Sequence, residues 1–145
     1  MKTEPATALR LTRVIRAEPQ AVWNAWTRPE EMRKWSCPAP GGVRSITADF
    51  RVGGRFDLIM EVDGARHHAF GTYREIDAPR RLVYTWDWKE EENAMGETVV
   101  TVEFNEVDGG TEVVLVHEGF PVIEARDGHE EGWGLCLANL EALFV

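Results

Sequence analysis

The amino-acid sequence predicts an α+β domain in which a curved antiparallel sheet of six or seven strands surrounds a long C-terminal helix. Strand-like alternation of apolar and polar residues runs from Arg55 to Glu118, with turn residues at intervals. Helical spacing occurs in two short segments after the first strand and in one long segment near the C-terminus. No repeat or linker divides the 145 residues, so residues 1–145 are expected to form a single domain.

The first strand and the two short helices are predicted near the start of the chain. Ala8–Arg16 has the alternation of a strand. Pro19 opens a helix, because proline suits the first helical turn. Thr27 followed by Glu30 has the form of a capping box, which predicts a second short helix that carries Trp35.

Six further strands are predicted, and turn residues separate them. Asp63-Gly64 has the composition of a hairpin turn. The Gly53-Gly54 pair is interpreted as a bulge that bends the sheet. The predicted ranges are Val43–Phe50, Arg55–Val62, His67–Ile76, Arg81–Trp88, Thr98–Phe104 and Thr111–Glu118. In the strand His67–Ile76, the pattern does not choose between two inward sets, which are His68 with Phe70 and Gly71 with Tyr73.

A helix is predicted from about Asp127 to Phe144, with a start as early as Pro121 as the alternative. Seven strands make a sheet about 30 Å wide, whereas one helix is about 10–12 Å across. The sheet is therefore expected to curl around the helix, leaving a space that side chains or a ligand can fill. Four apolar residues share one face of the predicted helix: Trp133, Leu137, Leu140 and Phe144.

Three glycines lie in or just before this helix, at Gly128, Gly132 and Gly134. Each costs about 1 kcal/mol relative to alanine inside a helix. We interpret them as points where the helix approaches the sheet closely. The alternative interpretation is that they leave room for a bulky ligand.

Composition excludes several classes of function. The formal net charge is -9, which disfavours binding to nucleic acid and to acidic membrane surfaces. Met1 to Leu11 contains no apolar run of the kind that a signal peptide needs, and no stretch is long enough to cross a bilayer. Cys37 and Cys136 have no metal-ligand spacing and are interpreted as reduced thiols. We therefore expect a cytoplasmic location without membrane insertion. The sequence leaves a homodimer open.

The four histidines show no chelating or catalytic spacing. His67 and His68 are adjacent on a strand and point to opposite faces. His117 is in phase with Val113 and Leu115 and is expected in the interior, either as a hydrogen-bonded core residue or as a polar anchor in a pocket. Because no nucleophile or carboxylate partner is evident, no catalytic residue, metal or cofactor is assigned.

Several segments together carry a resemblance to a known family: Arg13–Ala17, Val22–Thr27, Asp49–Phe56, Gly71–Tyr73, Arg81–Trp86, Val100–Phe104, His117–Gly119 and Gly132-Trp133. The chain resembles the SRPBCC or START-like superfamily. Within it, the chain is most similar to the bacterial family named after the homologue of the activator of heat-shock-protein-90 ATPase. The resemblance implies the helix-grip fold and, by analogy, a possible chaperone partner.

The predicted function is non-catalytic binding of a small hydrophobic or aromatic molecule between the sheet and the C-terminal helix. The alternatives are a co-chaperone-like domain that binds a chaperone, and a cyclase- or hydrolase-like enzyme that uses the same cavity. The predicted ligand-binding residues are Trp35, Phe56, Leu58, Met60, Phe70, Tyr84, Trp86, Val102, Leu115, His117, Trp133 and Leu137. Apart from Trp35, which is expected to close one end, and Phe70, which belongs to one of the two open phases, they are expected to face one shared interior space.

Overall fold

A computed structural model of the chain describes residues 7–39 and 42–144, and within them three α-helices and seven strands are present. One 3-10 turn, Glu91–Asn93, lies between the fifth and sixth strands. The elements in chain order are β1 (Ala8–Ile15), α1 (Pro19–Thr27), α2 (Pro29–Met32), β2 (Val43–Ala48), β3 (Arg55–Val62), β4 (Ala65–Asp77), β5 (Arg81–Trp88), β6 (Thr98–Val107), β7 (Gly110–Glu118) and α3 (Ile123–Ala142).

The strands form one antiparallel sheet in the order β1-β7-β6-β5-β4-β3-β2. The strands from β2 to β7 pair consecutively, and β1 joins the sheet beside β7. The order therefore places the first and last strands together and leaves β1 and β2 at the edges. The α+β class predicted from the sequence is confirmed, and the arrangement agrees with the helix-grip fold.

The inner face of the sheet carries the large apolar side chains. In β3, Phe56, Leu58 and Met60 are buried, as the alternation predicts. In β4, Gly71 and Tyr73 are buried, which settles the phase that the sequence left open. A strand exposes successive side chains on opposite faces, and the alternation therefore fixes β4 as far as Tyr73, where a register shift against β5 interrupts it.

Phe70 lies on the outer face of β4, so its inclusion among the predicted ligand-binding residues is wrong. Its ring is half-buried beneath two cations, with the guanidinium of Arg55 at 5.2 Å and the ammonium of Lys89 at 4.3 Å from its centroid. These contacts provide cation–π attraction, which is one way to accommodate an aromatic ring on a solvated sheet face.

Two local predictions are also wrong. Thr27 does not cap α2, because its hydroxyl donates to the carbonyl oxygen of Trp23 at 2.9 Å, and Arg28 is the N-cap residue. The Gly53-Gly54 pair lies in the connection between β2 and β3 and is not a bulge within a strand. Gly53 has a φ of 87°, a left-handed conformation that glycine adopts without strain.

Gly71 lies where β4 and β5 are too close together for a side chain. A Cβ atom there would lie 1.9 Å from the carbonyl oxygen of Thr85 and 2.7 Å from Cε2 of Phe56. We expect Gly71→Ala to lower the free energy of unfolding by about 2 kcal/mol, because the strands must separate. Gly128→Ala in α3 is the matched control, since no atom lies within 4 Å of its added Cβ. The control is expected to stabilise the protein by up to about 1 kcal/mol. Urea melts in which the two variants have equal stability would contradict this packing.

Candidate functional site

A cavity of about 480 Å³ lies between the inner face of the sheet and the N-terminal part of α3. Its wall on the sheet side is formed by Met60, Val62, His67, Trp86 and Trp88. Its wall on the helix side is formed by Ala125, Gly128, His129, Gly132, Trp133 and Cys136. Loop residues and the first turn of the helix complete it, namely Ser36, Pro38, Glu92, Asn93, Met95 and Glu124. Because Glu92, Glu124 and Gly128 are exposed, the mouth of the cavity lies beside them.

The glycines of α3 leave open space. A Cβ atom at Gly128 or Gly134 would meet nothing within 4 Å, and at Gly132 it would make only an ordinary contact with Pro38 at 3.8 Å. Our interpretation of these glycines as points of close helix-to-sheet approach is therefore wrong. Gly128 and Gly132, four residues apart on one helical face, instead widen the cavity.

The residues predicted to share one interior space are divided between two spaces and the core. The large cavity contains Met60, Trp86 and Trp133 from the predicted set. A second space of about 30 Å³ contains Trp35, Phe56, Leu58 and Tyr84, together with Trp86 and Trp133. The rings of Trp86 and Trp133, with centroids 5.5 Å apart, thus separate the two spaces. The remaining predicted residues are fully buried and line neither space: Val102, Leu115, His117 and Leu137.

Sequence reasoning missed several residues of the cavity wall. Gly128 and Gly132 were left out of the predicted set, although the alternative interpretation of the α3 glycines, as room for a bulky ligand, applies to them. Trp88 follows the inward phase of β5, although the predicted set ended at Trp86. Met95 comes from the loop after β5, where no periodic pattern reports which side chain turns inward.

The sequence left two interpretations of His117 open, a hydrogen-bonded core residue and a polar anchor in a pocket. The structure supports the first. The indole N–H of Trp133 donates to its Nδ1 at 3.0 Å, and its Nε2–H donates to the hydroxyl of Thr98 at 2.8 Å. The Thr98 hydroxyl donates in turn to the backbone carbonyl of Trp86. Burial, with a further contribution from nearby His129, lowers the pKa of His117 to about 2. The ring is therefore neutral, and both of its nitrogen atoms are occupied.

His129 is held in the same way in the helix-side wall. Its Nδ1–H donates to the carbonyl oxygen of Ala125 at 2.8 Å, and its Nε2 accepts from the indole N–H of Trp88 at 3.0 Å. Burial lowers its pKa. Neither of these histidines has a free lone pair with which to take a proton from a bound molecule.

Two buried polar atoms beside the cavity have no hydrogen-bond partner among the residues that the structure describes. They are the hydroxyl oxygen of Ser36 and the indole nitrogen of Trp86. Both residues line the large cavity and also the smaller space, so they lie at the boundary between the two. Most buried polar groups are hydrogen-bonded, so two unpartnered polar atoms at one boundary require an explanation.

The described residues place no group of three or more His, Cys, Asp or Glu side chains where it could hold a metal ion. Cys37 and Cys136 are both buried and free, and burial raises the pKa of each thiol. Within the same residues, no helix has the length and apolar character needed to cross a membrane.

Comparison with solved structures places the fold among bacterial proteins. A protein from Nitrosomonas europaea is 26% identical with a TM-score of 0.81, covering 97% of this chain and 96% of that chain. A protein from Chromobacterium violaceum is 27% identical with a TM-score of 0.82, covering 95% and 96%. A protein of unknown function from Staphylococcus aureus, 17% identical with a TM-score of 0.79 over 94% and 92%, shares the fold alone.

Comparison of the sequence with curated proteins gives no match. The family profile described as Activator of Hsp90 ATPase homolog 1-like protein matches residues 16–145. The matched range contains all the residues that line the two spaces. The resemblance predicted from the residues is therefore confirmed, and the chain belongs to the family of Activator of Hsp90 ATPase homolog 1-like proteins.

Proposed function

We propose that this protein binds one small, uncharged and largely apolar molecule in the cavity between the sheet and α3, without catalysing a reaction on it. The observation that carries the proposal is the cavity itself, with a volume of about 480 Å³ and walls rich in aromatic and aliphatic side chains. Ligand pockets usually occupy about 300–1,000 Å³ and combine apolar walls with a few polar groups. Gly128 and Gly132 support the proposal, because side chains at these positions would reduce the space.

The charges around the cavity favour a neutral ligand over an anion. Among the described residues that line it, none is lysine or arginine, and Glu92 and Glu124 stand at its mouth. An ionised carboxylate or phosphate would therefore lose its hydration without gaining a cationic partner, which is costly. The net charge of -9 acts in the same direction.

A catalytic role has less support from the same residues. General acid–base catalysis needs a side chain that can reach the substrate with a free proton or lone pair. His117 and His129 use both ring nitrogens in hydrogen bonds to the protein. His67, which also lines the cavity, contacts the amide of Asn93 through Nδ1 and makes no hydrogen bond to a carboxylate, hydroxyl or thiol among the described residues. The family description suggests a chaperone partner instead, but none of the contacts described above bears on that role.

We propose that the protein acts in a reducing compartment, the cytoplasm, because Cys37 and Cys136 are unpaired thiols.

The proposal predicts that filling the cavity abolishes binding of an apolar probe. The probe is N-phenyl-1-naphthylamine, a neutral dye whose fluorescence rises when it leaves water. We expect Gly132→Leu to weaken its binding at least tenfold, because the new side chain occupies the cavity. The matched control is Gly134→Leu, which adds the same side chain to α3 at a position that does not line the cavity.

The control is expected to bind the dye within twofold of the parent protein, and urea melts establish that both variants are folded. Saturable binding that survives Gly132→Leu unchanged would place the dye elsewhere. Absence of saturable binding in the parent protein would refute the proposed function.

A further inference from the structure

We infer that the ligand of this cavity carries a neutral carbonyl oxygen, which accepts hydrogen bonds from the indole N–H of Trp86 and the hydroxyl of Ser36. The inference rests on the ligand-binding function proposed above and specifies the chemistry of the molecule bound. It follows from the two unpartnered atoms at the boundary of the cavity, from the hydrogen bonds of the surrounding tryptophans, and from the charges of the wall.

Trp86 is exceptional among the tryptophans that surround the two spaces. Five tryptophans line one space or the other, and four of their indole N–H groups donate to the protein. Trp86 is 7% exposed, and its indole N–H is the only one of the five that has no partner among the described residues. The four acceptors are the hydroxyl of Tyr84 for Trp26, the carbonyl of Ala25 for Trp35, Nε2 of His129 for Trp88 and Nδ1 of His117 for Trp133.

Ser36 provides a second donor at the same boundary. It lies in the turn after α2 and is 8% exposed, and its hydroxyl has no partner in the part of the chain that the structure describes. Ser36, Trp86 and Trp133 are the residues common to the large cavity and the small space. Since the indole of Trp133 is engaged by His117, Ser36 and Trp86 carry the free polar atoms of this boundary.

The chemistry of the two groups selects an acceptor. An indole N–H can only donate, and a serine hydroxyl can donate to the same atom. A carbonyl oxygen has two lone pairs and can accept both bonds. A carboxylate has suitable oxygens, but its charge would be buried without a lysine or arginine in the described wall. A neutral ketone, lactone or amide oxygen therefore fits these donors best.

The surroundings of Trp86 favour a flat molecule. The centroids of the Trp88 and Trp133 rings each lie 5.5 Å from that of Trp86, and Phe56 lies at 6.1 Å. Aromatic rings in offset or edge-to-face contact gain attraction beyond their buried area. An aromatic ring that bears a carbonyl group would use both the walls and the two donors.

The test compares two ligands of similar shape, 2-acetylnaphthalene and 2-isopropylnaphthalene, each displacing N-phenyl-1-naphthylamine. The measured quantity is the ratio of their affinities within one protein, because changes of packing that affect both ligands cancel. We expect Trp86→Phe to reduce the preference for the ketone about tenfold, equivalent to about 1.4 kcal/mol, and Ser36→Ala to reduce it at least threefold. Trp23→Phe is the control, because Trp23 packs on Phe104 and lines neither space, and its ratio should stay within twofold.

A third ligand, 2-naphthoate, tests the charge argument and is expected to bind the parent protein at least tenfold more weakly than the ketone. Equal affinity ratios in the parent and all variants would overturn the inference, since Trp86 and Ser36 would then hold a water molecule or nothing, while the apolar function would stand. Failure of both naphthalenes to displace the dye from the parent would overturn the proposed function as well. If Trp86→Phe does not fold, Ser36→Ala decides alone.

Discussion

Replacing Trp133 with alanine is expected to lower the free energy of unfolding by about 4 kcal/mol. The Trp133 side chain is 8% exposed and lies between α3 and the sheet. Its ring stacks on that of Trp26, with the ring centroids 6.5 Å apart, and its centroid lies 5.5 Å from that of Trp86. Truncating a buried tryptophan to alanine typically costs about 3–5 kcal/mol. The change also removes the donor to Nδ1 of His117, which then stays buried and unpaired.

The variant Trp133→Phe separates these two contributions. It keeps a ring between α3 and the sheet but removes the indole N–H and part of the ring volume, so we expect a smaller loss of about 1–3 kcal/mol. Urea melts of both variants, followed by far-ultraviolet circular dichroism, measure the difference. A loss below about 1.5 kcal/mol for Trp133→Ala would mean that this residue does not anchor the helix.

Acidification is expected to destabilise the protein between pH 7 and pH 5, by about 2 kcal/mol through His117 alone. Its pKa is about 2 in the folded protein, against an ordinary value of 6.5 that applies after unfolding. Between these values the unfolded chain binds one more proton, so stability is complete above pH 6.5 and falls as the pH drops towards 2. The slope is about 1.4 kcal/mol per pH unit. The lowered pKa of His129 acts in the same direction.

The measurement is a series of urea melts at pH 7.5, 6.5, 5.5 and 5.0 on the parent protein and on His117→Gln. Glutamine offers one donor and one acceptor to Thr98 and Trp133 but does not titrate. We expect the variant to be less stable at pH 7.5 and to show a shallower dependence on pH. Parallel curves for the two proteins would contradict a neutral, buried His117.

The sheet and the long helix were predictable because each element has a period of its own. Phe56, Leu58 and Met60 alternate without interruption, and this pattern alone orients β3. The strand β4 was ambiguous, because aromatic residues occur on both of its faces and cations cover the outer one at Phe70. Periodicity predicts the face of the strand on which a side chain lies. It does not show whether a polar or aromatic side chain on the outer face is covered by neighbouring side chains.

The candidate site was less predictable than the fold. Trp86 and Trp133 were identified from strand and helix phase, but phase does not report that their rings meet and divide the interior. The open space beside Gly128 depends on how far α3 stands from the sheet, which is a tertiary distance. The unpartnered state of the Trp86 indole depends on the partners that four other tryptophans have found, and no local pattern contains that information.

The location of a bound molecule can be measured directly from the indole N–H resonances of the six tryptophans. In a two-dimensional ¹H–¹⁵N titration with N-phenyl-1-naphthylamine, we predict saturable shifts for Trp86, Trp88 and Trp133, which line the cavity. Trp23, which packs on Phe104 and lines neither space, should not shift. Saturable shifts at Trp23 with none at the three cavity tryptophans, or no saturable shift at any indole, would contradict a ligand site between the sheet and α3.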